Sequence, residues 1–173
     1  MHAETLRLFF ALPCPPALAE QIGSWRDRQD VAGVPVPLAN LHLTLAFLGS
    51  QPVARVNALR ALATSIQLPC FTLQLDQTSL FGGGYACLEP STPPDALLQL
   101  VSTLNDGLRT LGIEPDRRPF RPHVTLLRNA GGQLQQAPVL TWPVQQFGLY
   151  ASHSDVAGVR YQALATWPLR ATR

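Results

Sequence analysis

His42 and Thr44, and again His123 and Thr125, stand as His-x-Thr pairs inside two segments of alternating polar and apolar residues, HLTLAFLG and HVTLLRNAG. In an extended strand residues i and i+2 share a face, so each segment presents histidine and threonine on one side and leucine or valine on the other. Two imidazoles that meet across a cleft can divide a proton transfer between them. An ordinary pKa of about 6.5 lets one hold a proton while the other accepts one near neutral pH. The threonine hydroxyls can donate hydrogen bonds to phosphate oxygens, and an arginine can stabilise charge that builds there. Opening of a cyclic phosphate fits this set, because the strained ring needs a base to activate water and an acid to protonate the departing ribose oxygen.

Other chemistries lack their residues. A zinc site needs a third ligand, yet the chain has no His-x-x-x-His, and neither strand segment carries a cysteine or a carboxylate, so no metal is expected. Cys14, Cys70 and Cys87 are odd in number and widely spaced, which suits hydrophobic fillers rather than a disulfide framework. No Gly-x-Ser-x-Gly elbow is present. His2, near the start, and His153, in an expected turn, are given no catalytic role.

All thirteen basic residues are arginine, and the net charge of +2 is too small for a general nucleic-acid coat. Arg117, Arg118, Arg121 and Arg128 cluster in sequence, which favours a local anion. Arg121 shares the strand parity of His123. Arg128 falls on the opposite face of a regular strand and reaches the histidine face only where a bend or bulge intervenes. Tyr85 and Phe120 are the aromatic residues assigned to base stacking, with Phe81 and Tyr150 as further rings of that kind.

The elements that must position these groups follow from periodicity. RLFFALP predicts a buried strand, and Pro15 and Pro16 open a helix through about Arg28. VAGVPVPLAN is a proline-broken connection leading into a strand over 41–49. Residues 53–66 carry a helical stripe. FTLQLDQTSLF, GGG at 82–84 and YACLEP predict a hairpin. Leucines at 97, 100, 104, 108 and 111 before Gly112 mark the clearest helix. HVTLLR is a second His-x-Thr strand, and VQQFGLYASH with YQALATWPL predicts a closing antiparallel pair. The recurrence of a His-x-Thr strand in each half suggests an internal duplication. A chain of 173 residues, 46% hydrophobic, can bury a substantial core. MHAETLRLFFAL shows neither a basic leader nor a long apolar run, so the expectation is a soluble, cytoplasmic protein with no membrane association.

Taken together, RLFFALP, NLHLTLAFLG, GGGYACLEP, the leucine helix and RRPFRPHVTLLR resemble the RNA 2′,3′-cyclic phosphodiesterase family, historically called 2′-5′ RNA ligases, of the two-histidine phosphoesterase superfamily. The resemblance implies an α+β, bilobal fold in which duplicated antiparallel sheets surround a central cleft with helices outside, over 1–173 as a single pseudo-twofold domain. It implies hydrolysis of a terminal 2′,3′-cyclic phosphate to a 2′-phosphate, with His42 as proton donor and His123 as proton acceptor. Thr44, Thr125 and Arg128 match phosphate-binding positions; Arg121, on its strand parity with His123 alone, is a further candidate for phosphate or substrate binding. Leu127 stands where the family often has alanine. No cofactor is implied, and the expected partners are RNA 3′ ends or small cyclic nucleotides bound by a monomer. Alternatives are the same chemistry on ADP-ribose 1″,2″-cyclic phosphate, or RNA or nucleotide binding without turnover.

Overall fold

The computed structural model describes residues 3–171, so His2 lies outside the described residues. In chain order the elements are β1 (Thr5–Pro13), α1 (Pro16–Asp27), β2 (Val34–Pro35), β3 (His42–Pro52), α2 (Val56–Thr64), β4 (Phe71–Leu75), β5 (Gln77–Phe81) and β6 (Tyr85–Glu89), followed by α3 (Asp95–Thr110), β7 (Val124–Arg128), β8 (Leu140–Val144), β9 (Gln146–Asp155) and β10 (Gly158–Pro168). This is an α+β fold with two sheets. The larger runs β10-β9-β1-β3-β7-β6-β5, with β2 joined to β7, and the smaller pairs β4 with β8.

Helices cover the leucine side of the strands. α1 opens with Pro16 in its first turn, where a missing N–H leaves no intrahelical bond unmade, and buries Leu18, Ile22 and Trp25. α3 buries Leu97, Leu100, Leu104 and Leu108 of the predicted stripe, while Leu111 falls just past the helix end and is half-buried against the core. These side chains join Leu43, Leu45, Val124 and Leu126 in one core, where truncation of a fully buried leucine to alanine costs about 2–5 kcal/mol. The proline-broken connection is pinned by buried Arg26, whose Nη1 donates to the Val36 carbonyl at 2.7 Å, while Val36 N donates to the Leu126 carbonyl at 2.9 Å. Among the described residues no helix is long and apolar enough to cross a membrane.

Two expectations need correction. FTLQLDQTSLF is not one hairpin arm, because the chain changes sheet at Asp76: Phe71–Leu75 pairs with β8 and Gln77–Phe81 with β6. Asp76 fixes the switch by accepting from Ser91 N at 2.7 Å and Ser91 Oγ at 2.6 Å. His153 lies within β9, registered with Arg160, and its Nε2 meets Gln162 Oε1 at 2.9 Å. The turn comes later, at Val156 and Ala157, and Gly158 just after it has a φ of 119° that favours glycine.

Candidate active site

β3 and β7 share a single registered pair, Leu43 opposite Val124. Both side chains are fully buried. Antiparallel register about that pair sets His42 beside Thr125 and Thr44 beside His123, on the face away from the core. All four line one cleft of about 690 Å³.

Both imidazoles are held in the same way. His42 Nδ1 donates to the Asn40 carbonyl at 2.7 Å, and His123 Nδ1 donates to the Arg121 carbonyl at 2.8 Å. A carbonyl can only accept, so each neutral ring carries its proton on Nδ1 and leaves Nε2 for chemistry. His42 Nε2 lies 3.0 Å from Thr44 Oγ1. The Cys87 thiol reaches Thr125 Oγ1 at 3.7 Å, and burial pushes that thiol up to about 11, so it remains protonated.

His42 sits in an aromatic nest, its ring 5.2 Å from Phe9 and edge-on to Tyr161 at 5.0 Å. Burial pushes its pKa down; the bond to the Asn40 carbonyl pulls the other way, and the positive charges of His123 and Arg128 lower it further, leaving it below the ordinary value. His123 packs instead on Phe81 at 4.5 Å.

Each strand has a bulge just after its threonine. In β3, Ala11 pairs with Thr44 but Phe10 with Ala46, so Leu45 is the extra residue. In β7, Cys87 pairs with Thr125 but Ala86 with Leu127, so Leu126 is extra. An extra residue reverses the alternation. Arg128 therefore turns into the cleft, where its Nη2 reaches Tyr161 Oη at 3.4 Å, and Phe47 does the same in β3 with 57% of its surface exposed.

The comparisons with known proteins agree with this geometry. The sequence model of the 2′-5′ RNA ligase superfamily matches residues 14–155. The RNA 2′,3′-cyclic phosphodiesterase of Escherichia coli (strain K12) is 39% identical, with 96% of this chain and 98% of that one aligned. The chain belongs to the RNA 2′,3′-cyclic phosphodiesterase family of that superfamily. The family's enzyme from Thermus thermophilus is 30% identical over 95% of this chain and 91% of its own. The crystal structure of E. coli LigT complexed with 3′-AMP superposes with a TM-score of 0.89 at 38% identity, covering 96% and 99% of the two chains.

Of the residues singled out from the sequence, His42, Thr44, His123, Thr125, Arg128 and Tyr85 line the cleft. Arg121 and Phe120 are not among its lining residues. The Arg121 side chain forms a fork with Glu89 through two 2.7 Å bonds and lies 4.2 Å over the Phe81 ring. Phe120 is half-buried and packs against the core. Arg118 reaches the rim of the cleft paired with Asp116. Sequence reasoning missed Phe9, Phe47 and Tyr161; of these only the exposed Phe47 left a signal, as an aromatic three residues after a His-x-Thr threonine. Among the described residues no three His, Cys, Asp or Glu side chains converge on a position able to hold a metal ion.

Proposed function

We propose that this protein hydrolyses the 2′,3′-cyclic phosphate at RNA 3′ ends to a 2′-phosphate, with His42 as proton donor and His123 as proton acceptor. The observation that carries the reading is the pairing of two carbonyl-anchored imidazoles, each with its threonine, about the Leu43–Val124 register. The E. coli and Thermus relatives bear the name of this activity.

In the proposed step His123 Nε2 takes a proton from water as the water oxygen attacks phosphorus. The P–O3′ bond breaks, and His42 Nε2–H gives its proton to O3′. His42 must first be protonated. The cyclic phosphodiester brings a negative charge beside it, which favours the imidazolium against the burial and the cationic neighbours that lower its pKa in the free protein. Thr44, Thr125 and Arg128 receive the non-bridging oxygens. Phe47 and Tyr85, exposed at the cleft, offer ring faces to a base. Product release leaves His123 protonated and His42 neutral, and exchange with solvent restores the pair.

The same reading takes the larger sheet as two pseudo-twofold lobes, β10-β9-β1-β3 and the strands about β7, meeting at Leu43–Val124. The matched bulges and the matched carbonyl anchors support it. A monomer acting in the cytoplasm completes the proposal.

Incubation of a short RNA ending in a 2′,3′-cyclic phosphate, with EDTA present, is expected to yield a 2′-phosphate at a catalytic rate. Intact RNA in the presence of folded protein overturns the reading. Turnover of ADP-ribose 1″,2″-cyclic phosphate alone reassigns the same chemistry to a small substrate.

A further inference from the structure

The cleft continues past the histidines along β1. Phe9, which touches the His42 ring, and Arg7 share a strand face, and Arg7 lies about 7 Å further on. Arg7 is registered between Ser50 of β3 and Ser152 of β9, and Ser152 and Ser154 also line this end of the cleft. Between Arg7 and the reacting centre stands the exposed ring of Phe47, whose backbone pairs with Phe9.

The arginines of the cleft differ in what occupies them. Arg118 is paired with Asp116, and Arg128 sits against Tyr161 beside His42. Arg7 is exposed and, among the described residues, has neither an ion pair nor a side-chain hydrogen bond. The one carboxylate lining the cleft is Asp116, already taken by Arg118. A guanidinium without a partner among the described residues, at an end of the cleft also lined by the Ser152 and Ser154 side chains and by no free carboxylate, has the donors that an anion needs.

We infer that Arg7, with Ser152 and Ser154, binds the phosphate on the 5′ side of the terminal nucleotide, so that the protein distinguishes the end of an RNA chain from a free nucleoside cyclic phosphate. This rests on the cyclic-phosphate reading of the histidine pair. The terminal base lies on Phe47, one face of the cleft holds the cyclic phosphate, and the 5′ phosphate reaches the Arg7 end. The recognised feature is the phosphate itself, independent of base identity.

The test compares kcat/KM for adenosine 2′,3′-cyclic phosphate with that for its 5′-phosphorylated counterpart. The wild-type protein is expected to favour the 5′-phosphorylated substrate by about tenfold or more, as suits one charge-assisted phosphate contact. Arg7→Gln is expected to bring that ratio close to one, and Arg7→Lys to retain part of it. For the 5′-phosphorylated substrate Arg7→Gln is also expected to flatten the slope of log kcat/KM against log salt, as loss of one phosphate contact does. Equal rates on the two substrates in the wild-type protein, or an unchanged ratio in Arg7→Gln, overturn the subsite and leave the histidine chemistry standing. Failure to hydrolyse either substrate or a cyclic-phosphate-ended RNA overturns the reading of the site and the subsite with it.

Discussion

Phe47 and Arg128 occupy the same place in their two strands: each is the third residue after its threonine, turned into the cleft by a bulge directly behind that threonine. One copy of the motif thus supplies a ring and the other a cation, and the two should fail differently when removed. Phe47→Ala is expected to raise KM by about 5- to 150-fold with kcat little changed, since base stacking is worth about 1–3 kcal/mol. Arg128→Gln is expected to lower kcat/KM by about a hundredfold or more, as loss of a charge-stabilising donor does. Steady-state kinetics on one cyclic-phosphate RNA checks both. Equal loss of kcat in the two variants contradicts the division of labour.

The histidines should act as a unit. His42→Ala and His123→Ala are each expected to lower turnover by about 10²–10⁴-fold with the fold intact by circular dichroism. The double variant should lose much less than the product of the two single losses, because one proton path is already broken by either change. Activity within about tenfold of wild type in either single variant would falsify the paired acid and base.

How much of this was legible in the sequence depends on the range of the interaction. Alternation within HLTL and HVTL is local, so the polar face bearing His42, Thr44, His123 and Thr125 could be read directly, as could the leucine stripe of α3. Bulges are properties of a strand and its partner together. The direction of Arg128 therefore had to await the register of β6 on β7, and that of Phe47 the register of β1 on β3. Phe9 read as core, which its 4% exposure bears out, yet its ring packs against His42. Tyr161 reaches that ring from a strand far along the chain, through pairing that no local pattern encodes.

The depressed pKa of His42 has two measurable signs. By NMR its titration is expected to centre below about 6.5, and Arg128→Gln should move it upward by removing a cationic neighbour. The second sign is in stability. Between its folded pKa and about 6.5 His42 is protonated in the unfolded chain but neutral in the folded one, so unfolding takes up protons there. The contribution is complete above the unfolded pKa and is lost as pH falls through the folded one. Denaturant titrations of wild type and His42→Gln across this window should show a shallower acid loss in the variant. Parallel curves would contradict the shift. The bell-shaped pH profile of kcat/KM expected from one protonated and one neutral imidazole reports the pair rather than either ring.

Arg121 links stability to the site through Glu89. The Glu89 side chain is 12% exposed and receives both arms of an exposed guanidinium, while the backbone carbonyl of the same arginine holds His123 Nδ1. Burial pushes the Glu89 carboxyl up, but the hydrogen bonds and charge of Arg121, together with the smaller pulls of Ser79 and the His123 charge, hold it below its usual range. The pair should therefore break asymmetrically. Arg121→Ala leaves a buried carboxylate without its partner and is expected to cost about 1–3 kcal/mol. Glu89→Gln leaves an arginine that water can solvate and is expected to cost less. The double variant should cost less than the sum of the two. If the clamp also orients His123, Arg121→Ala lowers kcat more than it raises KM, because the ring is displaced in the transition state rather than in binding. Chemical denaturation and steady-state kinetics on the three variants separate these effects. Additive stabilities with unchanged kcat would show that Glu89 and Arg121 form a surface pair with no hold on the histidine.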